Sequence, residues 1–172
     1  MNQKVNWGVI GSGGIAKRRT IPEGIIPARN ATLNAVFDID SEMNHAVARE
    51  FNAQAFNDID ALLDSDVDAV YIATPVNKHL EQVVKCAKKG KNILCEKPLG
   101  LTLTEAKEMV EIYKQENVIL GTGFMMRFHS QHQFAKKLVQ EGSIGKPVYA
   151  RAQLSCWYPP IQGAWRQDPS MG

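Results

Sequence analysis

The chain has 172 residues, of which 44% are hydrophobic and 22% are charged, a balance typical of a globular protein in water. Its net charge of +2 at pH 7 is too small to favour a nucleic acid or an anionic membrane as a partner. The three cysteines form no CxxC pair and show no zinc-ligand spacing with the four histidines. We therefore expect free thiols, a reducing cytoplasmic setting and no bound metal.

The first half of the chain alternates short apolar runs with amphipathic segments, which is typical of a parallel sheet covered by helices. Residues 5–10 predict a first strand, and a helix follows that must be short because Pro22 cannot continue it. Residues 32–37 predict a second strand, followed by a helix that begins at Ser41. Residues 69–73 are apolar throughout, as expected for a central strand that is covered on both faces.

The same alternation continues towards the middle of the chain. Asn77 is positioned to cap a helix that ends at Gly90, and the apolar residues of this helix recur at helical spacing. Residues 91–95 predict the next strand. Thr102 opens a capping box before another amphipathic helix, and residues 118–120 predict a further strand. The fold class is therefore α/β, a doubly wound parallel sheet of Rossmann type with helices on both faces.

The pattern changes after the Gly-Thr-Gly element that ends at residue 123. Beyond it the sequence predicts a helix at 131–141, a turn at 142–145 and a strand at 148–155. We therefore divide the chain into a dinucleotide-binding domain at residues 1–123 and, at residues 124–172, the start of a second α/β domain. The second part is too short to close a core of its own.

A glycine-rich turn lies between the first predicted strand and its helix, and its residues are Gly11, Ser12, Gly13, Gly14, Ile15 and Ala16. This is the context that a dinucleotide fingerprint requires, because the glycines allow a tight turn and a close approach of backbone to a pyrophosphate. The small residue at the last position lets helix and strand pack closely, and the helix N-terminus favours the phosphate charge. Taken alone, the pattern also fits a simple strand-to-helix connection.

Asp38 ends the second predicted strand, 22 positions after the end of the glycine-rich turn. A carboxylate at this place can accept hydrogen bonds from the adenosine ribose hydroxyls and would repel a 2′-phosphate. NAD is therefore favoured over NADP as the cofactor. The alternative is that Asp38 and Asp40 only help to start the helix at Ser41, although Asp40 or Ser41 could do so without Asp38.

Three further motifs fall at the carboxyl ends of predicted strands, in chain order. They are Ile72-Ala73-Thr74-Pro75 with His79, then Cys95-Glu96-Lys97-Pro98, then Gly121-Thr122-Gly123-Phe124 with Arg127. Together with the glycine-rich turn, these motifs resemble the Gfo/Idh/MocA family, which includes glucose-fructose oxidoreductase and inositol dehydrogenase. The resemblance implies a second α/β domain whose open sheet lines the substrate pocket and often mediates homo-oligomerisation. It also implies hydride transfer between a nicotinamide and a carbinol carbon of a sugar, cyclitol or related polyol.

The resemblance also assigns roles to individual residues. Thr74 and Pro75 would lie along the cofactor, and His79 would support their loop. Glu96 would lie near the nicotinamide ribose. Lys97 would face both cofactor and substrate, and its bond to Pro98 is often cis in relatives.

Physical chemistry gives Lys97 a catalytic role of its own. An ammonium beside the reacting carbon can hydrogen-bond the substrate hydroxyl and stabilise developing alkoxide charge. The alternative is a surface lysine in a proline-containing turn. Arg127 either reaches the substrate or braces the domain junction, and Trp165 and Arg166 match a family element that lies towards the substrate.

Two other functional classes are weighed against the enzyme. Full-length relatives continue into an Asp-x-x-x-His helix whose histidine exchanges the proton of the reacting hydroxyl, and this sequence contains no such motif. A non-catalytic dinucleotide-binding module or partner subunit is therefore the first alternative. A Rossmann methyltransferase is a weaker one, since it shares only the glycine-rich turn. The unpaired strand at 148–155 would also present an open edge, which predicts self-association.

Overall fold

A computed structural model describes residues 4–155, 157, 159–160 and 167–168 of the chain. Its centre is a six-stranded sheet in the order β3-β2-β1-β4-β5-β6. All of the strand pairings in this sheet are parallel. The strands are β1 (Val5–Ile10), β2 (Ala31–Phe37), β3 (Gln54–Ala55), β4 (Ala69–Ile72), β5 (Asn92–Cys95) and β6 (Leu120–Thr122).

Helices connect successive strands, as parallel pairing requires. A π-helix follows β1, and two short 3₁₀ turns precede the third and the last α-helix. The helices are the π-helix (Ser12–Ile25), α1 (Ser41–Phe51), α2 (Ile59–Asp64), α3 (His79–Lys88), α4 (Leu103–Gln115) and α5 (Ser130–Gln140), and the 3₁₀ turns are Val76–Lys78 and Met125–Phe128.

The chain reverses its direction of travel across the sheet at β1. From β1 it moves outward through β2 to β3, and it then returns to place β4 on the other side of β1. The carboxyl ends of β1 and β4 therefore border the topological switch point, where open α/β sheets bind their ligands. This observation confirms the predicted doubly wound Rossmann class.

The hydrophobic core forms two layers, one on each face of the sheet. Alternation along the strands sends Ile10, Val70 and Ile72 to the layer beneath α2, α3 and α4. Their neighbours Val9 and Tyr71 belong to the other layer, which is shared with the π-helix and α1. Both layers are fully excluded from solvent at these positions, which explains why the central strands have continuous apolar sequences.

Five strands were predicted in the part of the chain before residue 123, and each has a counterpart in the sheet. The first has the predicted bounds, and the other four differ by one or two residues at their ends. The two-residue strand β3 and the six-residue helix α2 were not predicted. Both are too short to show a hydrophobic period, so only their tertiary contacts reveal them.

The prediction of a short helix after the glycine-rich turn is wrong. The π-helix continues through Pro22 to Ile25, and the Ile26 N–H donates to the Ile21 carbonyl five residues earlier at 3.0 Å. An i to i+5 register widens the helix, so the proline ring and its missing N–H are accommodated without a break. The backbone instead departs from helical geometry near the N-terminus, at Gly14.

The N-termini of α3 and α4 show whether the predicted capping residues are correct. Asn77 does not cap its helix, because Pro75 leads directly into a 3₁₀ turn at Val76–Lys78 and α3 begins only at His79. The 3₁₀ turn begins at Val76, one residue before the predicted cap, and the Val76 side chain is buried in the protein. Thr102 does cap α4, since its hydroxyl accepts a hydrogen bond from the Glu105 N–H at 3.2 Å.

The region after residue 123 confirms one prediction and contradicts another. The predicted helix appears as α5, and a turn follows in which Gly142 and Gly145 have positive φ. The predicted strand at 148–155 is wrong, because this segment is irregular and exposed. A strand needs a partner to hydrogen-bond its backbone, and no strand among the described residues lies beside it. No helix among the described residues combines the length and apolar character needed to cross a bilayer.

Candidate functional site

The first position of the glycine-rich turn accepts only glycine without backbone strain. Gly11 has φ +84°, and a Cβ there would lie 2.9 Å from the backbone of Ala73 and of Thr74. Its N–H donates to the Phe37 carbonyl at 2.8 Å, which ties the turn to the end of β2. Ala16, at the last position of the motif, is fully buried against the sheet, where a larger side chain would push the π-helix away.

Gly13 faces the end of β2. A Cβ on it would lie 2.8 Å from Met43 Cγ and 3.2 Å from Asp38 Oδ2. Its N–H donates to the same carboxylate oxygen at 2.9 Å. A Cβ on Gly14 would meet no atom within 4 Å, so the turn is open on that side. The turn thus has a closed side against the protein, at Gly11 and Gly13, and a side at Gly14 that is open to solvent.

Both carboxylate oxygens of Asp38 are held by backbone. Oδ2 accepts from Gly13, and Oδ1 accepts from the Asp40 N–H at 3.0 Å. The side chain of Asp40 caps α1 by accepting from the Met43 N–H at 3.0 Å. The helix therefore has its cap without Asp38, and the Asp38 carboxylate stands as a fixed anion beside the glycine-rich turn.

His79 joins the loops that follow β4 and β5. Its Nε2 lies 3.0 Å from the Thr74 carbonyl oxygen, and its Nδ1 lies 3.0 Å from that of Pro98. The ring is buried, so these contacts fix both loops at the carboxyl edge of the sheet. The Thr74 hydroxyl donates to Gln82 Oε1 at 2.6 Å. The sequence reasoning missed Gln82, although a polar residue on the apolar face of a helix was a usable signal.

Glu96 and Lys97 follow β5. Glu96 Oε1 accepts from the Tyr71 hydroxyl at 2.8 Å, and Oε2 accepts from the Lys97 N–H at 3.0 Å. The Lys97-Pro98 peptide bond is cis, and the Lys97 side chain is exposed to solvent. A Cβ on Gly123 would lie 3.1 Å from Glu96 Oε1, so the Gly-Thr-Gly element makes room for this carboxylate.

A cleft of about 470 Å³ opens between the π-helix and the carboxyl ends of β5 and β6. Ile15 lies on one side and Phe124 on the other, while Tyr71 and Glu96 contribute its polar groups. The cleft therefore brings the end of the glycine-rich turn close to Glu96. Asp38, Lys97 and Arg127 do not line it, and the positions predicted at Trp165 and Arg166 lie outside the described residues.

Two buried protic groups border the site. Burial raises the pKa of the Tyr71 phenol far above its usual range; the hydrogen bond from Thr20 opposes this shift, and the Glu96 carboxylate adds to it. Burial also raises the pKa of the Cys95 thiol to about 12, and the charge of Glu96 contributes. Cys95 is fully buried and its thiol stays protonated at neutral pH, so it serves as a packing residue.

Comparison with known proteins adds an independent finding. Residues 5–124 match the model of the Gfo/Idh/MocA family, described as "Oxidoreductase family, NAD-binding Rossmann fold". The chain is 35% identical over 164 residues to a 1,5-anhydro-D-fructose reductase from Ensifer adhaerens, covering 94% of this chain and 49% of the relative. It is 37% identical over 146 residues to a myo-inositol 2-dehydrogenase from Thermotoga maritima, covering 84% and 43%. The chain spans about half the length of these curated relatives.

Solved structures agree in fold. A scyllo-inositol dehydrogenase from Lactobacillus casei, with bound NAD(H) and scyllo-inositol, superposes with a TM-score of 0.75 at 29% identity, covering 83% of this chain and 43% of that one. A 3-ketoreductase from Actinomadura kijaniata, in complex with NADP and TDP-benzene, gives 0.75 at 28% identity, covering 81% and 43%. Structures similar to this chain thus include both an NAD(H) and an NADP complex.

Proposed function

This chain belongs to the Gfo/Idh/MocA oxidoreductase family, and we propose that it forms the cofactor-binding part of an enzyme that transfers hydride between NAD and a carbinol carbon. The proposed substrate class is a sugar, cyclitol or related polyol, which the names of the similar inositol dehydrogenases and the anhydrofructose reductase support. The observation that carries the proposal is the meeting of the glycine-rich turn, Asp38 and the Glu96-Lys97 pair at one edge of the sheet.

The glycine-rich turn is proposed to hold the pyrophosphate. Gly14 is open to solvent on its free side, and the backbone of the turn precedes a helix whose N-terminus favours anions. Gly11 and Gly13 bring this backbone to within van der Waals contact of the neighbouring strand ends.

Asp38 is proposed to select NAD over NADP. Its two oxygens are fixed by the N–H groups of Gly13 and Asp40, so the carboxylate cannot swing away from an incoming ribose. The remaining lone pairs suit the ribose hydroxyls, whereas a 2′-phosphate would bring like charges together. We therefore expect a preference for NAD of at least about tenfold, which corresponds to a repulsion of about 1.4 kcal/mol.

Lys97 is proposed to act on the substrate. When bound, the nicotinamide supplies the group that accepts or gives the hydride. The Lys97 ammonium then donates a hydrogen bond to the substrate oxygen and stabilises its developing negative charge. Arg127 and the Trp165-Arg166 pair are proposed to lie on the substrate side, and we expect homo-oligomers because the described part of residues 124–168 leaves large apolar side chains exposed.

Cofactor binding is the direct test. Energy transfer from tryptophan to NADH should saturate with wild-type protein, and NADPH should bind at least about tenfold more weakly. Asp38→Asn should remove most of that preference, while Asp60→Asn, an exposed aspartate in α2 that pairs with Lys85, should leave it unchanged. No saturable signal at millimolar NADH from folded protein would refute the proposed function.

Catalysis is tested separately. Wild-type chain is mixed with NAD and inositol isomers, and NADH formation is followed by absorbance. Lys97→Ala should abolish any turnover while leaving NADH affinity within about threefold, since its proposed role is in the transition state. NADH binding without turnover of any polyol would favour the non-catalytic binding module.

A further inference from the structure

A chain of three hydrogen-bonded side chains runs under the candidate site. The Thr20 hydroxyl, on the π-helix, donates to the Tyr71 hydroxyl at 3.0 Å. The Tyr71 hydroxyl donates in turn to Glu96 Oε1 at 2.8 Å. These residues are 51 and 25 positions apart in sequence, so the tertiary structure alone assembles the chain.

The direction of these hydrogen bonds follows from the chemistry of the groups. An ionised carboxylate only accepts, so the phenol must donate to Glu96. The phenol oxygen then keeps its lone pairs for the threonine hydroxyl, which donates to it. Burial raises the pKa of the Tyr71 phenol far above its usual range, so the phenol is protonated at neutral pH and can donate this hydrogen bond.

Packing alone does not explain this tyrosine. Tyr71 is 1% exposed and lies in a strand whose other residues are alanine, valine and isoleucine. A phenylalanine would fill nearly the same volume and would avoid burying a hydroxyl, which costs free energy unless it is paired. The role of the hydroxyl therefore lies in its hydrogen bonds, and the group to which it donates is the Glu96 carboxylate.

The Glu96 carboxylate is held from three sides. Tyr71 binds one oxygen, the Lys97 N–H binds the other at 3.0 Å, and Gly123 closes the space beside Oε1. The same carboxylate and the same phenol border the cleft of about 470 Å³. A carboxylate fixed in this way presents its remaining lone pairs to the cleft in one orientation.

We infer that Tyr71 is a positioning residue, oriented by Thr20, which fixes the Glu96 carboxylate for the nicotinamide half of the cofactor. The inference rests on the proposed function, because it places the nicotinamide half in this cleft. It implies a division of the site into two independent ends. Asp38 and the glycine-rich turn serve the adenosine end, and the Thr20-Tyr71-Glu96 chain serves the nicotinamide end.

The test compares two ligands by calorimetry, NADH for the whole site and ADP for the adenosine end alone. Tyr71→Phe should weaken NADH about five- to tenfold, the loss of one hydrogen bond to a charged group, and should change ADP affinity less than twofold. Thr20→Val should weaken NADH about threefold, and Thr20→Ser, which restores the hydroxyl, should return it to the wild-type value. Tyr113→Phe, the same change in α4 away from the cleft, is the matched control.

A double-mutant cycle separates positioning from general stability. Glu96→Gln should weaken NADH by itself, and adding Tyr71→Phe should then cost less than a further twofold, since the phenol acts through the carboxylate. Full additivity of the two changes would overturn the inference. So would an equal loss of NADH and ADP affinity in Tyr71→Phe, or no loss of either in both Tyr71→Phe and Thr20→Val.

The same titrations distinguish a failure of the proposed function from a failure of the role of Tyr71 alone. Wild-type protein that binds ADP but not NADH would overturn the inference and the proposed function together. Wild-type protein that binds NADH, with Tyr71→Phe indistinguishable from it, would overturn only the role of Tyr71.

Discussion

The part of the chain up to residue 123 and the part that follows differ in burial. Every buried residue of the described chain lies between Gly8 and Met109. From Phe124 onward each described residue is exposed except Leu138, which is half-buried. Since burial of apolar surface is the main stabilising contribution, nearly all of the folding free energy must come from the first part.

The helices α4 and α5 show the same difference at smaller scale. They have 13 and 11 residues, and both are amphipathic. Helix α4 buries Met109 and is capped by Thr102, whereas Phe134 on α5 is 61% exposed and its N-cap position makes no side-chain hydrogen bond. An amphipathic pattern thus predicts a helix in both places, and it does not reveal whether the apolar face has a partner.

The largest expected effect is alkaline destabilisation of the first part. Burial raises the pKa of Cys86 and of Cys95 to about 12, whereas both thiols titrate near 9 when unfolded. The unfolded chain then holds fewer protons, so stability that is present below pH 9 is lost as the pH rises towards 12. Each of these two thiols should remove about 1 kcal/mol per pH unit, or roughly 4 kcal/mol together from pH 9 to pH 11. The Tyr71 phenol, whose pKa burial also raises, should add to this loss above pH 10. Urea denaturation at successive pH values measures this slope.

The matched variant for that experiment is Cys86→Ala. It should lower stability at pH 8 and reduce the slope between pH 9 and pH 10 by about one half, because only Cys95 of the two buried thiols then remains. A slope that does not change would show that the loss of stability has another origin.

The next largest effect is the loss of stability when a buried isoleucine is truncated, compared with the same change at an exposed one. Ile72 is fully buried in β4, and Ile72→Ala should lower the free energy of unfolding by about 3 kcal/mol through lost contacts and a cavity. Ile144 is 60% exposed in the second part, and Ile144→Ala should change the free energy of unfolding of the dilute monomer by less than about 0.5 kcal/mol. Urea denaturation of both variants gives the comparison. Equal losses would mean that residue 144 is covered in solution, by another copy of the chain for example.

The loss of stability on removing a helix N-cap side chain should also be larger in the first part than in the second, but by a smaller amount. Thr102→Ala removes the hydroxyl that accepts from Glu105, which should cost about 1 kcal/mol. His129→Ala, at the corresponding position before α5, should cost less than about 0.3 kcal/mol because the imidazole makes no capping bond. Thermal denaturation by circular dichroism measures both, and a cost at His129 as large as at Thr102 would contradict the assignment.

The smallest effect is expected from shortening the chain. A chain that ends at residue 128 keeps the lining of the cleft and loses α5 with the segment after it. At protein concentrations low enough for the monomer to predominate, its free energy of unfolding should differ by less than about 0.5 kcal/mol from that of the full chain. NADH affinity should stay within twofold. A large loss of stability would show that the second part contributes buried surface in solution.

Much of the fold could be predicted from local patterns. Short apolar runs identified five strands, and β4 shows the reason most clearly, because it is covered on both faces and buried at every position. The glycine-rich turn could be placed because φ > 0 and close backbone approach restrict Gly11 to one residue type. The π-helix through Pro22 and the irregular segment at 148–155 could not be placed, because both depend on what packs or pairs with them.

The residues of the candidate site also include some that the sequence predicted and some that it missed. The motif positions at Gly13, Asp38 and Glu96 stand at the ends of predicted strands, and their places at one sheet edge follow from parallel pairing. Tyr71 and Thr20 were missed, because no period or motif connects a strand residue to a helix residue 51 positions away.

By itself the sequence determined the alternation of five main strands with helices, the position of the glycine-rich turn and the family, since these depend on residue types at short spacing. The tertiary structure decided the orientation of the groups, which depends on contacts between distant segments. It placed both Asp38 oxygens on backbone N–H groups and the Glu96 carboxylate between Tyr71 and Lys97. It also left the apolar face of α5 exposed, because a hydrophobic pattern encodes the tendency to be buried and the surrounding chain supplies the surface that buries it.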